Sequence, residues 1–215
     1  MKLQDLPIQI YSQSPLSFSL ESLNPYIDKE TIEKNYNYHY REYVDNLNII
    51  IQELNLENVS LTQIFETDNK YSKDLLNNAG GYYNYSLLWK IITPNCGGDL
   101  STELMSEIDK SFNSFEQFKN EFEKAALAII GSGWAWLVID SHNNLKIVST
   151  KNEENPLMRS LNIEGTPIIA INMWERMYYL KYNNDKKQYV SNFWSLLNWK
   201  TIDEIYKNII WSKYL

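Results

Sequence analysis

Pro167-Ile-Ile-Ala-Ile-Asn-Met-Trp-Glu-Arg-Met-Tyr-Tyr-Leu-Lys-Tyr182 passes from a short apolar run into a segment crowded with aromatics and two opposite charges. The run reads as a buried strand and its continuation as a helix start. Side chains leaving the end of a buried strand are held rigidly beside a cavity, so Asn172, Glu175 and Arg176 stand where an enzyme places its chemistry. Two more strands are predicted upstream. Trp134-Ala-Trp-Leu-Val-Ile139 is apolar, Ser141-His-Asn-Asn144 supplies a hairpin turn, and Leu145 to Thr150 returns. With the opening stretch as third strand, this half is a small antiparallel sheet flanked by helices, an α+β arrangement.

The first half has a different period. After a mixed arm over residues 1–24, Ile32, Tyr36, His39, Tyr43, Leu47, Ile50 and Leu54 recur at helical spacing from about Asp28. A second helix is predicted from Ser72 to Ile92, ended by Thr93-Pro94-Asn95 and Gly97-Gly98. Two antiparallel helices thus form an N-terminal hairpin, placed at residues 1–95, ahead of an α/β unit at residues 96–215. Ala79-Gly80-Gly81 lies inside the second helix. Each helical glycine costs about 1 kcal/mol relative to alanine, so the pair signals something packed very close. Further helices are predicted over Leu100–Lys110, after a capping box at Ser114–Gln117 with Phe115, Phe118, Phe122 and Ala126 on one face, and near Asp185–Leu196 and Thr201–Ile210.

Composition excludes several classes. A hydrophobic content of 44% over 215 residues gives a globular chain with a sizeable core. The net charge of -7 disfavours direct nucleic-acid binding, with Lys181, Lys186 and Lys187 as the local basic exception. One cysteine, Cys96, precludes an internal disulfide and fits a reducing compartment. No apolar run is long enough to span a bilayer, and Met1 to Ser14 carries neither a secretory nor an Arg-rich signal. An intracellular place, cytoplasm or mitochondrion, is expected. No nucleotide loop, CxxC pair or HExxH is present, and two histidines, His39 and His142, cannot build a three-histidine metal site within one chain.

The chain nevertheless resembles the iron/manganese superoxide dismutase family from about Pro15 to Lys207. The resemblance is carried by Leu20-Glu-Ser-Leu-Asn-Pro-Tyr26, Tyr43-Val-Asp-Asn-Leu-Asn48, Ala79-Gly-Gly-Tyr-Tyr-Asn84, Leu88-Trp89, Gly131-Ser-Gly-Trp-Ala-Trp-Leu137, Ile147-Val-Ser-Thr150, Asn155-Pro-Leu157, Trp174-Glu175 and Tyr178-Tyr-Leu-Lys-Tyr182. It implies the family fold, an α-helical hairpin followed by an α/β domain around a three-stranded antiparallel sheet. It also implies one iron or manganese between the two parts, held by three histidines and one aspartate. At those positions this chain has Asn35, Tyr85, Arg176 and Asn172. An amide oxygen is a weak ligand, a tyrosine ligates only as phenolate, and arginine is a permanent cation without a lone pair to offer.

On these residues the chain is expected to be a non-catalytic, cofactor-free pseudoenzyme with its metal site lost. It would serve as a structural or dimerisation subunit, a homodimer or a heterodimer with a second such chain, alone or within a larger protein or ribonucleoprotein assembly. The alternative is a family enzyme with a rebuilt active site. The Arg176 guanidinium is expected near the former metal position, donating to Asn35, Asn172 and Tyr85. Its counter-charge is Glu175 of a partner chain, slightly favoured, or Glu153, which stands where the family places an outer-sphere glutamine. His39 and Tyr43 match the family's gateway pair, and Tyr179 its interface tyrosine.

Overall fold

Asp28 opens the first helix, its carboxylate accepting from the Thr31 N–H at 2.9 Å. In the computed structural model, which describes residues 11–94 and 96–212, that helix is not uniform. It runs as α1 (Lys29–Glu33), a π-helical segment (Lys34–Tyr40) and α2 (Arg41–Glu53). Short α3 (Leu61–Glu66) begins at a reciprocal Ser60/Gln63 capping box, and α4 (Lys73–Ile91) is capped by Ser72. α2 packs along α4, giving the predicted hairpin. The first ten residues of the predicted arm, and Asn95 in the predicted helix stop, lie outside the described residues. From Tyr11 the arm is clamped to α2 by two reciprocal 2.8 Å bonds between the Tyr11 backbone and the Asn48 amide.

In the second half α5 (Thr102–Phe112) and α6 (Phe115–Leu127) precede β1 (Gly133–Ile139), β2 (Leu145–Lys151) and β3 (Thr166–Asn172). The predicted Ser114 capping box forms only by half. Ser114 accepts from the Gln117 N–H at 3.1 Å, while the Gln117 amide turns outward to Glu121 at 3.2 Å. The sheet order is β2-β1-β3, antiparallel throughout. Every residue of β1 is buried, because α6 packs on β1 and β2 while α4 and α9 (Trp199–Ser212) cover β3. Trp134 pairs with Asn172 across β1 and β3, which fixes the end of β3 beside the tryptophan-rich start of β1.

Beyond β3 the predicted helix start is a single 3-10 turn, Glu175–Met177, then the four-residue α7 (Tyr179–Tyr182). The helix is deferred because the Asn172 side chain accepts from the Trp174 N–H at 2.8 Å and Trp174 itself is extended. α8 (Lys186–Phe193) and α9 complete the described residues. One contiguous core joins the hairpin to the sheet through Tyr85, Trp89, Trp134 and Trp136. Among the described residues no helix is long and apolar enough to cross a membrane.

Candidate active site

Five pieces of chain converge below the end of β3. The π-helical segment contributes Asn35 and His39, α2 contributes Tyr43, and α4 contributes Gly80, Gly81, Asn84 and Tyr85. The loop after β2 brings Glu153, and the turn after β3 brings Arg176. The glycine pair is what lets them meet. A Cβ on Gly80 would lie 2.1 Å from the Glu153 carbonyl oxygen, and one on Gly81 would lie 2.5 Å from the root of the Tyr43 ring.

Arg176 is held at three points. Its Nε donates to the Tyr85 hydroxyl at 3.1 Å, and its Nη2 donates to the Tyr43 hydroxyl at 3.2 Å and to Glu153 Oε1 at 3.0 Å. The Trp174 ring covers the guanidinium, 3.9 Å from Cζ to the ring centroid. Glu153 is fully buried and is met by three further donors: Tyr43 Oη at 2.9 Å on Oε1, with Trp134 Nε1 at 2.9 Å and Asn84 Nδ2 at 3.1 Å on Oε2. Tyr85 in turn donates to Asn35 Oδ1 at 2.9 Å.

Of the two counter-charges expected, the intrachain Glu153 pairs with Arg176, because the Gly80 contact admits the Glu153 loop, and Glu175 is exposed at the rim. One expectation is corrected here. The guanidinium reaches Tyr85 but neither amide. Asn35 donates to the Thr31 and Arg176 carbonyls, while the Asn172 oxygen is committed to Trp174. His142 lies exposed in the predicted turn, and His39 is half-buried. Sequence reasoning overlooked Asn84, Trp134 and Trp174 as parts of this network, although the glycine pair pointed to the place.

Outside Arg176 opens a cavity of about 310 Å³ lined by Lys34, His39, Glu175, Arg176, Tyr179 and Leu180. Burial lowers the His39 pKa, the Arg176 charge lowers it further, and Glu42 opposes, so the imidazole at this mouth is neutral at neutral pH. Burial pushes Glu153 up to about 7, against the pull of Arg176 and the Tyr43, Asn84 and Trp134 hydrogen bonds. The native state therefore binds this proton more tightly than the unfolded chain. The stabilisation is fully present below the unfolded value of 4.5 and is lost as pH rises through about 7. Urea unfolding across that window is expected to show a decline on the order of 3 kcal/mol from this group, which Glu153→Gln flattens.

The donor set does not fit an iron or manganese ion. Arg176 brings a fixed positive charge, and Asn172 turns its oxygen away to Trp174, leaving its buried Nδ2, a donor, without a partner. Among the described residues no cluster of three His, Cys, Asp or Glu could hold a metal.

Comparison with known proteins is unambiguous about descent. The profile described as iron/manganese superoxide dismutases, alpha-hairpin domain, matches residues 10–93, and the C-terminal domain of the same proteins matches residues 100–205. A protein of Acinetobacter baylyi named superoxide dismutase (Mn) is 38% identical over 202 residues, covering 93% of this chain and 89% of that protein. The superoxide dismutase (Mn) 1 of Leptolyngbya boryana is 36% identical over 197 residues, 89% of this chain and 79% of that protein. The superoxide dismutase (Mn/Fe) 2 of Staphylococcus aureus strain RF122 is 37% identical over 197 residues, 89% of this chain and 95% of that protein. These relatives overturn the expectation of a non-catalytic pseudoenzyme with a lost site. That expectation weighed four positions, whereas the likeness to named enzymes extends across both halves of the fold and supports an enzyme. With both domain profiles matched in order and more than a third of the residues identical to such relatives, the chain belongs to the iron/manganese superoxide dismutase family.

Proposed function

We propose that the chain is a superoxide dismutase-family enzyme with a rebuilt active site, in which Asn35, Tyr85, Asn172 and Arg176 replace the usual ligand set. The observation that carries this reading is the Arg176 guanidinium, fixed by Glu153, Tyr43 and Tyr85 and lining the cavity. Its Nη1 donates to none of the described residues, so one edge of the cation remains for a small anion. Superoxide is such an anion; at the same mouth Lys34 is paired with Glu30 at 2.6 Å and Glu175 is the opposing charge, so Arg176 is the cation that draws it. Behind the cation Glu153 gains and loses a proton around pH 7, and the Tyr43 hydroxyl bridges Glu153 and Arg176. Binding, orientation and proton supply are thus assigned to this chain's own side chains. Family membership gives coarse support for pairing of like chains, with Glu175, Tyr179 and Leu180 at the exposed rim.

The test is superoxide decay after pulse radiolysis. The protein is expected to accelerate it, and Arg176→Met to lower the rate roughly a hundredfold, as for removal of a preorganised charge stabiliser. That variant keeps its fold because Glu153, deprived of its cation, takes up a proton instead of remaining a buried anion. Decay no faster than in buffer would overturn the proposal.

A further inference from the structure

The phenols bonded to this site's residues differ in what accepts their protons. Tyr85 donates to the Asn35 amide oxygen and Tyr189 to the Asn172 backbone carbonyl, each at 2.9 Å. An amide or carbonyl oxygen holds such a bond but does not keep the proton at neutral pH. Tyr43 donates to a carboxylate, Glu153 Oε1, at 2.9 Å. A phenol becomes a strong acid when it loses an electron, so one-electron oxidation is easiest where a base already sits at hydrogen-bond distance. The Tyr43 ring also packs closely on α4, where a Cβ on Gly81 would lie 2.5 Å from it. Its hydroxyl accepts from the same Arg176 nitrogen that binds Glu153, and so lies directly behind the cation that faces the cavity.

We propose that Tyr43 is a one-electron redox centre, cycling between phenol and neutral phenoxyl radical with its proton passed to and from Glu153, and that superoxide is both its oxidant and its reductant. The proposal rests on the reading of the chain as a superoxide-consuming enzyme. In the first half-reaction the phenol's proton passes to Glu153 while a superoxide seated on Arg176 takes one electron from Tyr43 and two protons from solution. It leaves as hydrogen peroxide, and Tyr43 remains as the phenoxyl radical. In the second half-reaction the radical takes one electron from another superoxide, which leaves as dioxygen, and regains its O–H with the proton held on Glu153. Two superoxides and two protons give one peroxide and one dioxygen. When the proton rests on Glu153, the charge of Arg176 is no longer offset, so the oxidised site attracts its second anionic substrate more strongly than the resting site attracts the first.

The full-length protein is oxidised by a photoexcited ruthenium polypyridyl with persulfate as electron acceptor, and freeze-quenched samples are read by electron paramagnetic resonance. A persistent phenoxyl signal is expected. Placing 3-fluorotyrosine at position 43 should change its hyperfine pattern, Tyr43→Phe should abolish it, and Glu153→Gln should shorten its lifetime roughly tenfold. Tyr38→Phe, at an exposed position, should leave it intact. The fluorotyrosine readout does not depend on whether Tyr43→Phe folds. A persistent signal indifferent to position 43, or no persistent signal, overturns the proposal. Superoxide decay separates the two readings. Wild-type activity retained in Tyr43→Phe sinks the redox role and leaves the dismutase reading standing. A position-43 radical in a protein that does not consume superoxide upholds the redox centre and sinks the dismutase reading.

Discussion

Glu153→Ala is expected to destabilise the fold by about 3–5 kcal/mol, more than any other single change in the network, because it leaves a largely buried arginine without its counter-charge. Arginine has no accessible neutral form, whereas a glutamate can take up a proton. The two partners of the 3.0 Å pair are therefore not equivalent, and Arg176→Met should cost much less. Alanine at 153 also strips the buried Trp134 N–H and the Tyr43 hydroxyl of their acceptor. Glu153→Gln keeps an oxygen for one of these donors and should cost about 1–3 kcal/mol. Urea unfolding of the three variants at pH 8 gives the ranking. Arg176→Met as costly as Glu153→Ala would show that the charge pair is not what sets it.

Gly80→Ala is expected to be the second large effect. In an exposed helix the change would stabilise by about 1 kcal/mol through propensity. Here the new methyl would stand 2.1 Å from a backbone oxygen, so either α4 or the Glu153 loop must move. Such overpacking costs about 1–3 kcal/mol or more and outweighs the propensity term. Because the atom displaced belongs to Glu153, superoxide consumption should fall together with the melting temperature. An unchanged melting temperature would mean that the loop yields freely.

Much of the frame was legible. The hairpin, the strands and the turn at Ser141–Asn144 followed from period and breakers, and the helical glycines marked the place of closest approach. The choice between Glu153 and Glu175 was not legible, because it depends on which loop fits over Gly80, a contact between residues far apart in sequence. The same holds for Trp134 and Asn84, whose roles arise only when β1 and α4 face the same carboxylate. Reading the four altered positions as loss of function followed from ligand chemistry taken alone. It did not weigh what the rest of the likeness to named enzymes implies.

The π-helical segment at Lys34–Tyr40 was invisible to pattern reading, since its apolar residues keep ordinary helical spacing. Its wider turns break the phase relation between the two ends of the helix. Eight residues of regular α-helix would leave Asn35 and Tyr43 about 80° apart around the axis. The change of pitch lets both address one site, Asn35 bonded to the Arg176 carbonyl and Tyr43 packed against α4. α1 and α2 are thus indexed independently, each to its own neighbour, like two gears on a slipping shaft. An adjustment on one side can be absorbed within seven residues and need not rotate the other.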